Sequence, residues 1–223
     1  MKVTVIIPTL NEAADIARAV SSAKRTAEVI VADGGSRDST REIASGLGAT
    51  VIETPRGRGL QMDEAAKLAK GDVLLFLHAD TMLPEGWFKE IERALVDPGT
   101  IAGAFGLRIG STHPWFRVVE AVVRLRYRAL GVIYGDQAIF ARKDEFFKAG
   151  GFRKLPLMED VDCVKRLRGL GRVRLLKGSV VTSPRRWEAG GMVGNTLKNG
   201  LILALYMAGV PPERLYDRYY GRQ

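Results

Sequence analysis

Two adjacent carboxylates, Glu159 and Asp160, stand where the sequence predicts the start of a helix. At 100° per residue, Asp160 shares a helix face with Val164 and Leu167, so we expect its side chain to point inward. An inward carboxylate costs free energy unless it has a partner or a chemical task. The helix N-terminus favours its ionised form, which suits a general base, although an inward N-capping aspartate is the alternative. Asp162 falls on the opposite face, and we expect it in solvent.

Asp80 follows the most apolar run of the chain, residues 72–77. A carboxylate just beyond a buried strand is placed to hold a hard divalent cation that also takes phosphate oxygens as ligands. His78 lies two residues before it. The alternative is that Asp80 is a turn residue.

Two segments have the composition of phosphate- and sugar-binding loops. Residues 33–40 begin with Asp33 and Gly34, and a glycine there lets the backbone approach a ligand closely. Residues 55–59 carry Arg56 and Arg58 before a predicted helix, where two guanidinium groups suit a diphosphate. Helix caps and a charged loop are the alternatives.

Two further polar segments lie in the second half of the chain. Adjacent arginines followed by an indole can clamp phosphates and stack on a ring. A polar insertion before the apolar run 138–141 can line an acceptor pocket. These residues are Arg185, Arg186 and Trp187 in the first segment and Gly135, Asp136 and Gln137 in the second.

The elements that must position these residues alternate between strands and helices. This order predicts an α/β fold whose first half is a parallel sheet with helices on both faces. Ligands bind such sheets beyond the carboxyl ends of the strands, so the segments above should converge there. We predict strands at 3–8, 28–32, 50–53 and 72–77, and helices from Asn11 as N-cap to about 24, at 38–47 and at 59–70.

The second half has a different pattern. Residues 101–109 alternate like a half-buried strand, and residues 114–130 form an amphipathic helix. Its basic face carries Arg117, Arg124 and Arg128, and we expect the valines and Leu125 of the other face in the core, although contact with an anionic membrane is the alternative. Residues 189–210 are apolar but contain Lys198, so we predict a core or interfacial helix rather than a membrane span. The valines concerned are Val118, Val119, Val122 and Val123.

Composition limits the class of protein. The 223 residues are 46% hydrophobic and 26% charged, which excludes a disordered chain and a disulfide-stapled miniprotein. The single cysteine, Cys163, and the charged start of the chain favour a reducing, cytoplasmic location without a signal peptide. The net charge of +9 comes from the second half, which favours an anionic or membrane-bound partner. We expect no nucleic-acid partner, because no motif for one accompanies the charge.

The sequence resembles glycosyltransferase family 2, with the GT-A fold, over nearly its whole length. The resemblance depends on residues 3–12, 28–40, 71–80, Glu159-Asp160 and 185–187. The His-Ala-Asp and Arg-Arg-Trp sequences are similar to the compact subset of radical-SAM/selenodomain-associated transferases. The resemblance implies one domain, residues 1–223, with a helical C-terminal segment; residues 1–110 would bind a nucleotide-sugar donor and residues 111–223 the acceptor.

The resemblance also implies roles for individual residues. Asp160 would be the base with Glu159 beside it, and Asp80 would bind Mn²⁺ or Mg²⁺. His78 replaces the first aspartate of the family's Asp-x-Asp motif, so it either ligates the metal or contacts ribose or a metal-bound water. Nucleotide-sugar contacts are expected from Pro8, Thr9, Leu10, Glu12, Asp33, Gly34, Arg58, Gln61 and Ala79, and acceptor or phosphate contacts from Gly135, Asp136, Gln137, Arg185, Arg186 and Trp187.

These observations favour an inverting, metal-dependent glycosyltransferase whose acceptor is a hydroxyl or phosphate, with a lipid-linked acceptor as one form. The first alternative is a non-catalytic module that binds a nucleotide sugar or an anionic membrane. The second is a sugar-phosphate nucleotidyltransferase, but the Gly-rich loop that this class needs after the first strand is replaced by residues 8–11.

Overall fold

One mixed sheet of eight strands organises the chain. The computed structural model describes residues 1–24 and 26–221, apart from the side chains of Arg186 and Ala189. The strands lie in the order β3-β2-β1-β4-β7-β6-β8-β5. They are β1 (Val3–Thr9), β2 (Glu28–Asp33), β3 (Thr50–Glu53), β4 (Val73–Phe76), β5 (Thr81–Met82), β6 (Thr100–Ile109), β7 (Ile139–Arg142) and β8 (Arg172–Thr182).

Helices cover both faces of the sheet. Helices α1 to α3 connect the first four strands, and three helices follow β8 at the C-terminal end. The helices are α1 (Ile16–Ala23), α2 (Thr40–Gly46), α3 (Arg58–Leu68), α4 (Trp87–Leu95), α5 (Pro114–Leu130), α6 (Lys143–Lys148), α7 (Glu159–Arg168), α8 (Arg185–Gly190), α9 (Met192–Met207) and α10 (Pro212–Tyr220), with a 3₁₀ turn at Gly135–Gln137.

The first four strands form the parallel half that the sequence predicts. Strand β1 pairs in parallel with β2 and with β4, and β2 pairs in parallel with β3. Thr9 lies opposite Asp33 in this register, so β1 and β2 end side by side. The carboxyl ends of these strands therefore meet at one edge, where α3 also begins.

The second half makes the sheet mixed. Strand β7 inserts between β4 and β6 and is antiparallel to both. Strand β8 then runs parallel to β6 and antiparallel to the short β5. Nothing in the residue pattern predicts this insertion, because β7 comes later in the chain than β6 yet lies between β6 and β4.

Two apolar layers hold the helices to the sheet. Side chains alternate along a strand, so Val5 and Ile7 face one layer while Ile6 faces the other. The first layer packs against α1 and α4, and the second packs against α3 and α7. The second layer therefore holds α3 and α7, the two helices whose N-terminal ends approach the edge of the sheet.

Two predicted details are wrong. Asn11 does not cap α1, which begins at Ile16; its backbone has φ +55°, and its side chain accepts a hydrogen bond from the backbone N–H of Arg37. In α5, only Val119 and Val123 among the predicted core residues are buried, while Val118, Val122 and Leu125 are at least half exposed. Helix α5 rests on β6 along a narrower stripe than its apolar pattern indicates.

No helix in the described part of the chain is long and apolar enough to cross a membrane. The longest candidate from the sequence, residues 189–210, is divided into α8 and α9 by Gly191, whose φ is +79°.

Candidate functional site

Two cavities adjoin at the carboxyl edge of the sheet. The larger has a volume of about 660 Å³ and the smaller about 110 Å³. Arg58 and His78 line both, so they stand in the wall between them. Most residues predicted for the nucleotide sugar line the larger cavity, namely Pro8, Thr9, Leu10, Glu12, Arg58, Gln61 and Ala79, together with His78, Asp80 and Glu159.

Asp33 and Gly34 lie beside the larger cavity's strand ends, and their contact with a nucleotide sugar stays a prediction. Neither is among the described residues that line the larger cavity. Asp33 is fully buried, and its carboxylate accepts hydrogen bonds from the backbone N–H groups of Gly35 and Ser36 and from the hydroxyls of Thr9 and Ser36. Burial by itself would raise the pKa of Asp33, but these hydrogen bonds outweigh it and lower the pKa below its usual 3.8. The carboxylate stabilises the turn after β2.

Gln61 connects the ends of two strands. Its side-chain amide N donates to the carbonyl oxygens of Thr9 at 2.9 Å and Ala32 at 2.8 Å. A methyl group on Gly34 would come within 3.2 Å of this amide, so Gly34 leaves room for it. Gln61 thus joins the ends of β1 and β2 beside the larger cavity, which Thr9 and Gln61 line.

Arg58 and Glu159 form an ion pair across the site. The Nε–H of Arg58 donates to Oε1 of Glu159, whose side chain is 2% exposed, whereas that of Arg58 is 32% exposed. Burial would lower the pKa of Arg58, but the charges of Glu159 and Asp160 outweigh it and raise the pKa. The pair ties the N-terminus of α3 to that of α7 over 101 residues of sequence.

Asp160 is inward, as predicted, and lines the smaller cavity. Its Oδ2 accepts a hydrogen bond of 2.6 Å from the backbone N–H of Gly135, and its Oδ1 accepts one from Val161. Burial and the neighbouring charge of Glu159 raise the pKa of Asp160 to about 6, against the smaller opposing effects of Arg58 and the two hydrogen bonds. The predicted lowering by the helix N-terminus is therefore outweighed by burial, and the raised pKa makes Asp160 a stronger base.

Asp162 is buried, so the prediction that it lies in solvent is wrong. Its carboxylate pairs with Arg166 at 2.9 Å and with Arg153 at 3.4 Å. Arg166 also donates to the carbonyl oxygen of Gly151. Asp162 therefore holds the loop before α7 against the helix, an interaction that the helical periodicity alone cannot reveal.

His78, Asp80 and Asp136 line a third small cavity, beside the other two. Gly135 lies close to this group, because a methyl group on it would come within 2.8 Å of His78 Nε2 and 3.2 Å of Asp160 Oδ2. The described residues contain no cluster of three or more His, Cys, Asp or Glu that could hold a metal by protein ligands alone. A Mg²⁺ ion is usually held by one or two carboxylates together with substrate phosphate oxygens and water, and Asp80 is a carboxylate that lines both the larger cavity and this one.

Gln137 does not face the cavities, contrary to the prediction. It is fully buried; its amide N donates to the carbonyl oxygen of Phe105, and its Oε1 accepts from Arg126 and from the backbone of Tyr134. These hydrogen bonds of the Gln137 side chain stabilise the 3₁₀ turn that contains Gly135.

Arg185 lies beside the segment that follows β1. Its guanidinium pairs with Glu12 at 2.7 Å and with Asp15 at 3.4 Å. Trp187 packs edge-on against Phe116, with ring centroids 6.0 Å apart, and lines the cavity of Asp80 and Asp136. The side chain of Arg186 lies outside the described residues.

Sequence reasoning missed the contribution of the C-terminal helices. Tyr216 and Tyr220 of α10 line the larger cavity, and Tyr219 lines the smaller one together with Asn199 and Ile202 of α9. The spacing of three and four residues puts Tyr216, Tyr219 and Tyr220 on one helix face. This spacing was the sequence signal that could have indicated their place in the site.

Comparison with known proteins identifies the family of the chain. The description of Glycosyl transferase family 2 matches residues 4–154, about two thirds of the chain. The chain belongs to glycosyl transferase family 2. The match ends before Glu159, so both carboxylates at the start of α7 lie beyond the matched residues.

Named relatives are similar over a shorter stretch. The chain is 43% identical over 93 residues to an uncharacterised glycosyltransferase of Rickettsia bellii and 44% identical over 93 residues to one of Rickettsia felis. These stretches cover 41% of this chain and 32% and 33% of the relatives. The chain thus matches about a third of the length of these relatives.

Solved structures share the GT-A fold at low identity. The structure of Staphylococcus aureus TarS residues 1–349 with UDP-GlcNAc has a TM-score of 0.66 and 19% identity, covering 82% of this chain and 58% of that one. Glucosyl-3-phosphoglycerate synthase of Mycobacterium tuberculosis, with Mn²⁺, UDP and glucosyl-3-phosphoglycerate, has a TM-score of 0.62 and 21% identity, covering 94% and 81%. The expected GT-A fold is confirmed; similarity to the radical-SAM-associated subset stays a prediction.

Proposed function

We propose that this glycosyltransferase is an inverting, metal-dependent enzyme that moves a sugar from a nucleotide-sugar donor to a hydroxyl or phosphate acceptor. One observation carries the proposal: the Asp160 carboxylate lies in the smaller cavity, next to the wall of Arg58 and His78 that adjoins the larger cavity. Inversion at the anomeric carbon requires a base on the side of the donor site from which the acceptor attacks. The domain is one unit, in which residues 1–110 supply most of the donor site and residues 111–223 supply the acceptor side.

The larger cavity is proposed as the donor site. Its volume of about 660 Å³ suits a nucleotide sugar, and Arg56, Arg58 and Lys154 supply positive charge for a diphosphate. The structural neighbours named above were solved with UDP-GlcNAc or with UDP and Mn²⁺. UDP-sugars are therefore the first donors to test.

The smaller cavity is proposed as the acceptor site. An acceptor hydroxyl there would give its proton to Asp160, while its oxygen attacks the anomeric carbon from the face opposite the nucleotide. The new bond forms as the bond from that carbon to the diphosphate oxygen breaks, and the nucleoside diphosphate leaves with the bonding electrons. A divalent cation held by Asp80, with His78 beside it, would stabilise the charge of the leaving diphosphate.

Glu159 has a positioning role in this proposal. It neutralises Arg58 in the absence of donor, and its negative charge raises the pKa of Asp160. A phosphate acceptor is already ionised and would need no base, so the dependence of turnover on Asp160 distinguishes the two acceptor classes. The charge of the second half favours an anionic, lipid-linked acceptor at the cytoplasmic membrane surface.

The first experiment is a thermal-shift panel of UDP-, GDP- and dTDP-sugars with and without Mn²⁺. A donor at 100 times its Kd stabilises the folded state by about 2.7 kcal/mol, so we expect a clear rise in Tm for one nucleotide class. Asp80→Asn should remove the Mn²⁺-dependent part of this rise, and Asp144→Asn, at an exposed position away from the larger and smaller cavities, is the matched control that keeps it. No rise with any donor would contradict the proposal.

The second experiment uses Asp160→Asn. We expect the variant to keep the donor-induced rise in Tm but to lose about 10²–10⁴-fold in turnover with a hydroxyl acceptor, because that is the usual contribution of a positioned base. Glu188→Gln, an exposed control, should keep both. Full turnover in Asp160→Asn would remove Asp160 from this role, and donor binding without turnover in the wild type would favour the non-catalytic module.

A further inference from the structure

Helix α9 exposes a face that is apolar along its whole length. Val193, Leu197 and Leu201, at a spacing of four residues, are each at least half exposed. Gly200, Ala204 and Ala208 are exposed on the same side. Because Ile202 and Leu203 already bury the other side against the protein, this apolar face has no partner among the described residues.

Helix α5 exposes a second apolar stripe next to a row of arginines. Val118, Val122 and Leu125 are 51%, 50% and 65% exposed. At 100° per residue, Arg124 and Arg128 lie on the adjoining side of the helix, between this stripe and the polar surface. Helix α5 therefore combines exposed apolar side chains with a cationic margin.

Residues near both ends of the two helices share apolar clusters. Near their N-terminal ends, Phe116 of α5 packs in one apolar cluster with Trp187 and Met192, the first residue of α9. Near their C-terminal ends, Val132, just beyond α5, shares another cluster with Ile202 of α9. We call the exposed stripes of α5 and α9 together the α5–α9 face.

The exposed charged side chains of helices α5 and α9 are all cationic. Within residues 114–130 and 192–207, the single acidic side chain is Glu120, which is buried and bonded to the backbone N–H of Ile109 and to Arg117. Four arginines and Lys198 are the other charged residues of these two helices. Apolar side chains beside cations such as Arg124 and Arg128 characterise helices that lie in the interface of an anionic membrane. The exposed acids Glu188, Glu213 and Asp217 belong to the adjoining helices α8 and α10.

We propose that the α5–α9 face docks on an anionic lipid bilayer. The inner side of α9 supports this, since Asn199 and Ile202 line the smaller cavity while Leu197 and Leu201 point away from the protein. A bilayer against the outer side would bring the headgroup layer close to that cavity. The suggestion that the bilayer supplies a lipid-linked acceptor rests on the proposed function, whereas the docking itself does not.

Vesicle flotation tests the docking. The whole protein is mixed with vesicles of phosphatidylcholine alone or of phosphatidylcholine with phosphatidylglycerol. We expect binding to the anionic vesicles, weakened by salt because surface charges are screened. Leu197→Glu with Leu201→Glu should weaken binding at least tenfold, since two buried leucines are lost from the membrane. The matched control places glutamates at Leu68 and Val96 in the first half, which are 58% and 76% exposed, against 69% and 50% for Leu197 and Leu201.

A second pair of variants tests the charges. Arg124→Gln with Arg128→Gln should weaken binding to anionic vesicles about fivefold for each arginine. All these positions are exposed, so the variants should keep the wild-type Tm and the donor-induced rise in Tm. The donor-induced rise in Tm tests the proposed function without vesicles. Failure of the docking proposal can therefore be distinguished from failure of the proposed function.

Three results would overturn the docking proposal. The first is a wild-type protein that does not float with anionic vesicles. The second is a Leu197→Glu/Leu201→Glu variant that binds as tightly as the Leu68→Glu/Val96→Glu control. The third is a wild-type dimer that the α9 substitutions convert to a monomer without affecting flotation, because a second copy of the chain would then cover the face.

Discussion

Replacing Arg58 with methionine should destabilise the protein through two buried carboxylates. Arg58→Met keeps much of the side-chain volume but leaves Glu159 and Asp160, which are 1% and 6% exposed, without their cation. Removing one partner of a buried pair costs about 3–5 kcal/mol. Because Arg58 is itself a third exposed, solvent screening reduces this cost, and we expect a loss of about 2–4 kcal/mol. For a chain of this size that lowers Tm by roughly 4–16 °C.

The loss should depend on pH. Burial holds the folded-state pKa of Asp160 at about 6, above its usual 3.8, and removal of Arg58 raises it further. The folded state then binds more protons than the unfolded state, so stability falls as pH rises from about 4 through the folded pKa. The difference in Tm between Arg58→Met and the wild type should therefore shrink as pH is lowered from about 7.5 to about 5.

Thermal and urea unfolding at each pH measure this difference. Arg18→Met is the matched control: Arg18 is 59% exposed and pairs with Asp15 at 3.8 Å, so its loss should cost at most about 1 kcal/mol. A loss in Arg58→Met no larger than in the control would refute the reasoning. So would a difference in Tm that stays constant or grows as pH falls.

Three shorter predictions concern the same edge of the sheet. Gly135→Ala places a methyl group 2.8 Å from His78 Nε2 and 3.2 Å from Asp160 Oδ2, so turnover should fall about 10²-fold or more while donor binding by thermal shift stays measurable. With a hydroxyl acceptor, kcat/KM should rise with pH through an apparent pKa of about 6, the value for Asp160, and a flat profile between pH 5 and 8 would contradict this. Asp33→Ala leaves the hydroxyl of Ser36 and two backbone N–H groups without an acceptor, so urea unfolding should show a loss of about 1–3 kcal/mol above pH 4 that disappears as pH falls through the lowered pKa of Asp33.

The parallel half of the fold was predictable because its signals are local. Short β-branched runs separated by amphipathic segments specify strands and helices, and a parallel order then brings the strand ends together. For this reason the residues after β1 and β4 converge on the larger cavity as expected. The inward direction of Asp160 was also predictable, since it follows from helical periodicity.

The remaining features depend on contacts between distant residues. Arg58 meets Glu159 across 101 residues, and Arg185 meets Glu12 across 173. Asp162 is buried because Arg153 and Arg166 surround it, which the periodicity of α7 does not show. The exposed stripe of α5 escaped prediction for a related reason, because a helix with apolar residues over a wide arc does not reveal which part of the arc meets the sheet.

The late insertion of β7 between β4 and β6 has a consequence for synthesis on the ribosome. Strand β4 pairs with β1 on one side, but its other neighbour is encoded about 60 residues downstream, at Ile139–Arg142. At roughly 5–20 residues per second, an apolar strand edge stays unpaired for about 3–12 s in each nascent chain. Such an edge is a template for pairing with other chains. A nascent chain arrested before Ile139 is therefore expected to need a chaperone, whereas one arrested after β8 has emerged is not.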